Sequence, residues 1–141
     1  MGIIFAIIAG AIMSIQGVFN TRLSEKIGLL ESNMFVQGTA FAIALVVMLI
    51  FGKGNLGGIM SVNKLYWLGG LLGMAITVTV MLSMQQLSPA VSVSAILISQ
   101  LAVAAVIDYF GLFGTEQAPF GWNKFVGLGL LVGGILIFKM K

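Results

Sequence analysis

The sequence has 141 residues, of which 60% are hydrophobic and only 8% are charged, against roughly 25% charged residues in soluble domains. Such a chain cannot hide its apolar side chains in one soluble core, so lipid must be the solvent for most of its surface. It has no Cys and no His, which excludes disulfides, thiolate chemistry and the usual transition-metal sites, and its net charge of +3 comes from residues at the ends of apolar runs rather than from a nucleic-acid-binding patch.

Five apolar runs predict an all-α integral membrane protein with five transmembrane helices, forming one transmembrane domain over residues 1–141. The last run has 14 residues, about 21 Å of helix, so it needs Lys124 and Lys139 to snorkel at its ends. Pro89 is expected in the first turn of the fourth helix, where its missing N–H costs nothing. In chain order the runs are Gly2–Phe19, Met34–Phe51, Leu65–Met84, Ala90–Phe113 and Phe125–Phe138.

The positive charges are almost equally divided between the two membrane faces. Five helices place the termini on opposite faces, and the Lys and Arg bias between short loops sets orientation. Four positive residues on one face against three on the other predict insertion in both orientations, and hence an antiparallel pair of copies. There are two alternatives. The small charge imbalance could still fix one orientation, or the partner could be a separate homologue. The first face carries Arg22, Lys26, Lys139 and Lys141, and the second carries Lys53, Lys64 and Lys124.

Polar side chains within the runs are the candidates for contact with a solute. Gln16 and Asn20 are four residues apart, so both amides face one side of the first helix, and a pocket is the favoured interpretation for this pair. For each Ser and Thr, a hydrogen bond between helices or to its own backbone is favoured instead. The predicted substrate-binding residues are Gln16, Asn20, Gln37, Ser99 and Gln100.

Asp108 is the only acid inside an apolar run, and it lies towards the membrane boundary, about 12 Å along the helix from Gln100. It is interpreted as a solvated interfacial carboxylate, a structural partner of a Lys or Arg, or a proton-coupling site. A lone acid with no second acid or His at its depth leaves no base and nucleophile pair, so an enzyme is not expected.

Glycines at four-residue spacing predict close packing of helices. Gly69 and Gly73 form one such pair in the third run, and Gly129 and Gly133 form another in the fifth. Small residues let helix backbones approach each other where lipid gives no hydrophobic drive to association. This pattern carries no information about a substrate.

Four segments together resemble the YdcZ-like family, a five-helix branch of the drug/metabolite transporter superfamily. The resemblance covers nearly the whole chain, and its most specific parts are the spacing of Gln16 and Asn20 and the cluster from Gln100 to Asp108, Gly111 and Gly114. The segments are GAIMSIQGVFNTRLSEKIG (10–28), YWLGGLLGM (66–74), SAILISQLAVAAVIDYFGLFG (94–114) and KFVGLGLLVGGILI (124–137).

The resemblance implies half of a ten-helix inverted-repeat assembly in a bacterial-type inner membrane, formed by two copies or by oppositely oriented homologues. It also implies export of a small metabolite or drug by alternating access, from a cavity lined mainly by helices 1 to 4. No cofactor, metal or nucleic acid is expected, and the solute is unknown. A small dual-topology ion channel and a non-transporting membrane subunit remain the alternatives.

Overall fold

The computed structural model describes residues 1–118 and 121–140, with the side chain of Lys139 left out. Within these residues all regular structure is helical. The chain divides into two compact units, Met1–Gln86 and Leu87–Lys141, and each is described by itself.

The first unit begins with a helical hairpin whose link is a single residue. Helix α1 spans Gly2–Ile27 and α2 spans Leu29–Phe51, so both continue well beyond the predicted apolar runs into polar sequence. Gly28 between them has φ 102° and ψ 156°, a backbone conformation open essentially only to glycine. Its N–H donates to the carbonyl of Ser24, and its own carbonyl accepts from the N–H of Ser32, both at 3.0 Å.

Helix α3, Gly69–Gln86, completes the first unit by packing against both α1 and α2. Two short 3₁₀ helices, Leu56–Ser61 and Lys64–Leu68, connect it to α2. Each begins at an asparagine, Asn55 or Asn63, whose side-chain oxygen accepts a backbone N–H two residues on, at 2.9 and 3.0 Å respectively. These caps satisfy N–H groups that a helix start leaves without partners.

The second unit is a pair of helices, α4 at Pro89–Phe110 and α5 at Trp122–Lys139, that pack against each other. Pro89 lies in the first turn of α4, as predicted, after Ser88, whose hydroxyl accepts the N–H of Val91. Helix α4 ends before the predicted Phe113, because Gly111 adopts a left-handed conformation (φ 61°) and a short 3₁₀ helix, Leu112–Gly114, follows.

Four helical segments of the described chain are long and apolar enough to cross a membrane. The α5 segment is apolar but shorter. Large apolar side chains along all these helices are exposed, and the buried apolar residues are Met81, Met84 and Ala105. That distribution suits a chain dissolved in lipid rather than in water. The segments are Gly2–Ile27, Leu29–Phe51, Lys64–Gln86 and Pro89–Phe110.

Candidate functional site

Polar residues are buried where the end of α1, the start of α2 and the end of α3 meet. We call this group the polar cluster. Its hydroxyls are tied to the backbone: Thr21 Oγ1 donates to the carbonyl of Gly17 and Ser24 Oγ to that of Thr21, both at 2.7 Å. The polar cluster comprises Asn20, Thr21, Ser24, Ser32 and Asn33, all buried.

Two hydrogen bonds join the polar cluster across helices. Ser32 Oγ of α2 lies 3.3 Å from the backbone carbonyl of Asn20 and 3.7 Å from Sδ of Met81, so its proton has an acceptor on either α1 or α3. Gln85 Nε2 of α3 donates to Ser24 Oγ of α1 at 3.0 Å. All three helices of the first unit are therefore linked at this end through side chains.

Asn33 contributes the one orphaned acceptor of the polar cluster. Its side chain is 3% exposed, and Oδ1 has no hydrogen-bond donor among residues 1–118 and 121–140. A buried acceptor without a partner costs about 1–3 kcal/mol, so such an atom is conspicuous in a folded protein. Within the described residues this oxygen therefore stays unsatisfied.

Gly17 of α1 lies tightly against α3, opposite Met84. A Cβ placed on Gly17 would lie 2.7 Å from Met84 Cε and 3.3 Å from Val80 Cγ1. The predicted glycine pairs make no close contact of this kind within the chain. A Cβ would meet nothing within 4 Å at Gly69, Gly129 or Gly133, and at Gly73 it would meet only Nε2 of Gln37, at 4.0 Å. Their role in helix packing stays a prediction for contacts beyond this chain.

The predicted substrate-binding residues are in different environments. Asn20 is buried in the polar cluster, whereas Gln16, one turn away on α1, is exposed. Gln37 is half-buried between α2 and α3, where Nε2 donates to Thr77 Oγ1 at 3.4 Å. Ser99 and Gln100 are exposed on α4 in the second unit. No two of the five are hydrogen-bonded to each other in the described part of the chain.

Most intramembrane hydroxyls bond to their own helix. Thr77 Oγ1 donates to the carbonyl of Gly73 at 2.9 Å, Thr79 Oγ1 to that of Ala75 at 2.8 Å, and Ser99 Oγ to that of Ile96 at 2.8 Å. These bonds match the interpretation of the hydroxyls as locally satisfied groups. Amide side chains, which carry more donors and acceptors than a hydroxyl, are therefore the stronger candidates for contact with a solute.

In the second unit, α4 and α5 pack against each other and line two grooves, both of which include Ala105 and Leu128. One groove, of about 520 Å³, is lined by apolar and aromatic residues. The other, of about 410 Å³, is lined by apolar residues together with half-buried Asp108 and Lys124, and we call it the charged groove. Its lining residues are Leu101, Ala104, Ala105, Asp108, Lys124, Gly127, Leu128 and Leu131.

Sequence reasoning missed Ser24, Ser32 and Asn33, which lie between the first two apolar runs. One signal was present: Gly17, Asn20, Thr21 and Ser24 recur at spacings of three and four, the pattern of one helix face. The described residues also contain no group of three or more Asp and Glu side chains that could hold a metal ion.

Comparison with known proteins identifies a family. A family model named DMT_YdcZ, described as "Putative inner membrane exporter, YdcZ", matches residues 1–137. No curated protein and no solved structure matches the chain.

Proposed function

This chain belongs to the DMT_YdcZ family of inner-membrane exporters, and we propose that it moves a small solute by alternating access as an antiparallel pair of copies. It is an integral inner-membrane protein, a transporter by family rather than an enzyme, and its four long apolar helices agree with that location. In the proposed assembly each copy supplies five spanning helices, and the ten helices form an inverted repeat around one cavity.

The observation that carries the proposal is the exposure of amides in the middle of spanning helices. Gln16 lies near the centre of α1 and Gln100 near the centre of α4, and both side chains are exposed in the single chain. An amide facing hydrocarbon has no hydrogen-bond partner, which is costly. A water-filled cavity between two copies supplies such partners, so these amides favour an assembly larger than one chain.

The length of α5 supports a fifth span. The helix has 18 residues, against 14 in its apolar run, which makes it about 27 Å long and comparable to the roughly 30 Å hydrocarbon layer. Trp122 at its start is an interfacial residue type. Five spans keep the termini on opposite faces, and two copies then supply the ten helices of the proposed assembly.

Neutral amides indicate the class of solute. Gln16, Asn20 and Gln100 offer donors and acceptors but no charge, and the orphaned Oδ1 of Asn33 requires a donor. A neutral or zwitterionic solute carrying N–H or O–H groups can bond to these uncharged amides and also donate to Oδ1 of Asn33. A bare cation has no N–H or O–H group to donate. We therefore assign solute contact to Gln16, Asn20, Gln37, Ser99 and Gln100, with Asn33 added.

The test is counterflow in proteoliposomes with a panel of radiolabelled neutral and zwitterionic metabolites. We expect saturable accumulation of at least one compound, lost in Gln16→Leu and in Gln100→Leu. Thr79→Val is the matched control, because the Thr79 hydroxyl bonds to its own helix and is also exposed. Non-saturating ion flux at channel rates would contradict the carrier, and flux that appears only with another protein would favour a non-transporting subunit.

A further inference from the structure

The charged groove between α4 and α5 has the shape and polarity of an amphiphile. We infer that it binds a bilayer phospholipid whose headgroup carries both a primary ammonium and a phosphate. This site is separate from the proposed solute contacts and does not depend on transport.

Both charges of the groove lie at the same end. Asp108 is the third residue from the end of α4, and Lys124 is the third residue of α5, so the two residues stand where one helix leaves the membrane and the other enters it. Both line the same groove. A carboxylate and an ammonium that line the same end of one groove match the two opposite charges of a zwitterionic headgroup.

Away from that end the groove is apolar. On α4 the lining runs from Asp108 back to Leu101, and on α5 it runs from Lys124 on to Leu131. Each stretch covers seven residue steps, about 10 Å of helix. Between them three lining residues are small and three are leucines, and the groove of about 410 Å³ has room for part of one acyl chain beneath the headgroup. The lining residues on these stretches are Leu101, Ala104, Ala105, Gly127, Leu128 and Leu131.

The carboxylate of Asp108 selects among headgroups. A primary ammonium donates hydrogen bonds to a carboxylate, whereas the quaternary ammonium of a choline headgroup has no N–H, and a glycerol headgroup has no cation. Lys124 attracts the phosphate that all three share. The groove should therefore prefer phosphatidylethanolamine over phosphatidylcholine through Asp108, and hold phospholipids in general through Lys124.

The test is native mass spectrometry of the full chain with an equimolar mixture of dioleoyl phosphatidylethanolamine, phosphatidylcholine and phosphatidylglycerol. We expect roughly tenfold more ethanolamine than choline lipid bound, the ratio that 1.4 kcal/mol gives. Asp108→Asn should bring that ratio to about one, and Lys124→Gln should weaken binding of all three lipids. Glu116→Gln, an acid outside the groove, is the matched control and should keep the wild-type ratio.

Three outcomes contradict the inference. The first is a wild-type chain that binds the three lipids equally. The second is a preference for ethanolamine lipid that survives Asp108→Asn, because the groove carboxylate then plays no part. The third is a groove covered by a second copy of the chain. In that case Leu131→Cys would cross-link efficiently between copies whatever lipid is present, because the chain has no other cysteine.

Discussion

At the scale of single residues, substitutions of Asn33 test solute binding separately from folding stability. Its Oδ1 is buried and accepts no hydrogen bond within the described residues, so folding leaves this oxygen unsatisfied. Removing an unsatisfied buried acceptor costs little stability and can even increase it, whereas removing a bonded group loses its bond. Function and stability should therefore respond in different ways to substitutions in the polar cluster.

We expect Asn33→Leu to keep the thermal stability of the purified protein at or above the wild-type value while weakening solute binding at least about tenfold, the effect of losing one good hydrogen bond. Ser32→Ala is the matched control: its hydroxyl has acceptors on α1 and α3, so its loss should lower stability by about 0.5–1.5 kcal/mol. Thermal unfolding and solute counterflow measure the two effects. A clear loss of stability in Asn33→Leu would show that Oδ1 is satisfied.

Gly17 makes a second prediction at this scale. A valine there has to displace Met84 and press on Val80, so we expect Gly17→Val to destabilise the first unit by about 1–3 kcal/mol. Gly10→Val is the control on the same helix, because a Cβ at Gly10 meets nothing within 4 Å. Denaturant unfolding in detergent compares the two variants. Equal stability of both would mean that the flexible Met84 side chain moves aside at little cost.

At the scale of helices, the sequence predicted which segments are helical better than where each helix ends. Hydropathy marks where a run stops being apolar, and α1 and α2 continue as helix through residues such as Thr21 and Ser32 that are polar but packed. Their burial depends on contacts with α3, which no local pattern reports. For the same reason Asn20 was found from its spacing and Asn33 was not.

Gly28 defines the hairpin, and its conformation gives the third prediction. A side chain in this backbone region costs about 1–3 kcal/mol, so Gly28→Ala should lower the free energy of unfolding by that amount. Gly54→Ala serves as the control, since Gly54 has no positive φ and open space around it. Thermal and denaturant unfolding report the difference. A fully stable Gly28→Ala would require the link to adopt another conformation.

At the scale of the whole molecule, the near-equal charge of the two faces gives the fourth prediction. The chain has no Cys, so single cysteines at Gly54 and at Glu116 report on two loops that five spans place on one face. We expect a membrane-impermeant thiol reagent to label about half of each population from outside, because charge bias is what fixes orientation.

Labelling of both loops to completion, or of neither, would contradict insertion in two orientations. Different labelling of the two loops would contradict five spans, because α3 and α4 alone separate them when both cross the membrane. Adding two lysines to the loop at Gly54, next to the end of α2, is the control that should drive both sites to a single value.

The one-residue link between α1 and α2 also bears on how the protein enters the membrane. The first two helices end at Phe51 with only Gly28 between them, so neither can settle in the bilayer without carrying the other along. We expect the two helices to insert as one hairpin, whose orientation in the membrane is decided in one event early in synthesis. Later helices would then follow that direction, so in the proposed antiparallel pair each copy would take its orientation during synthesis and keep it.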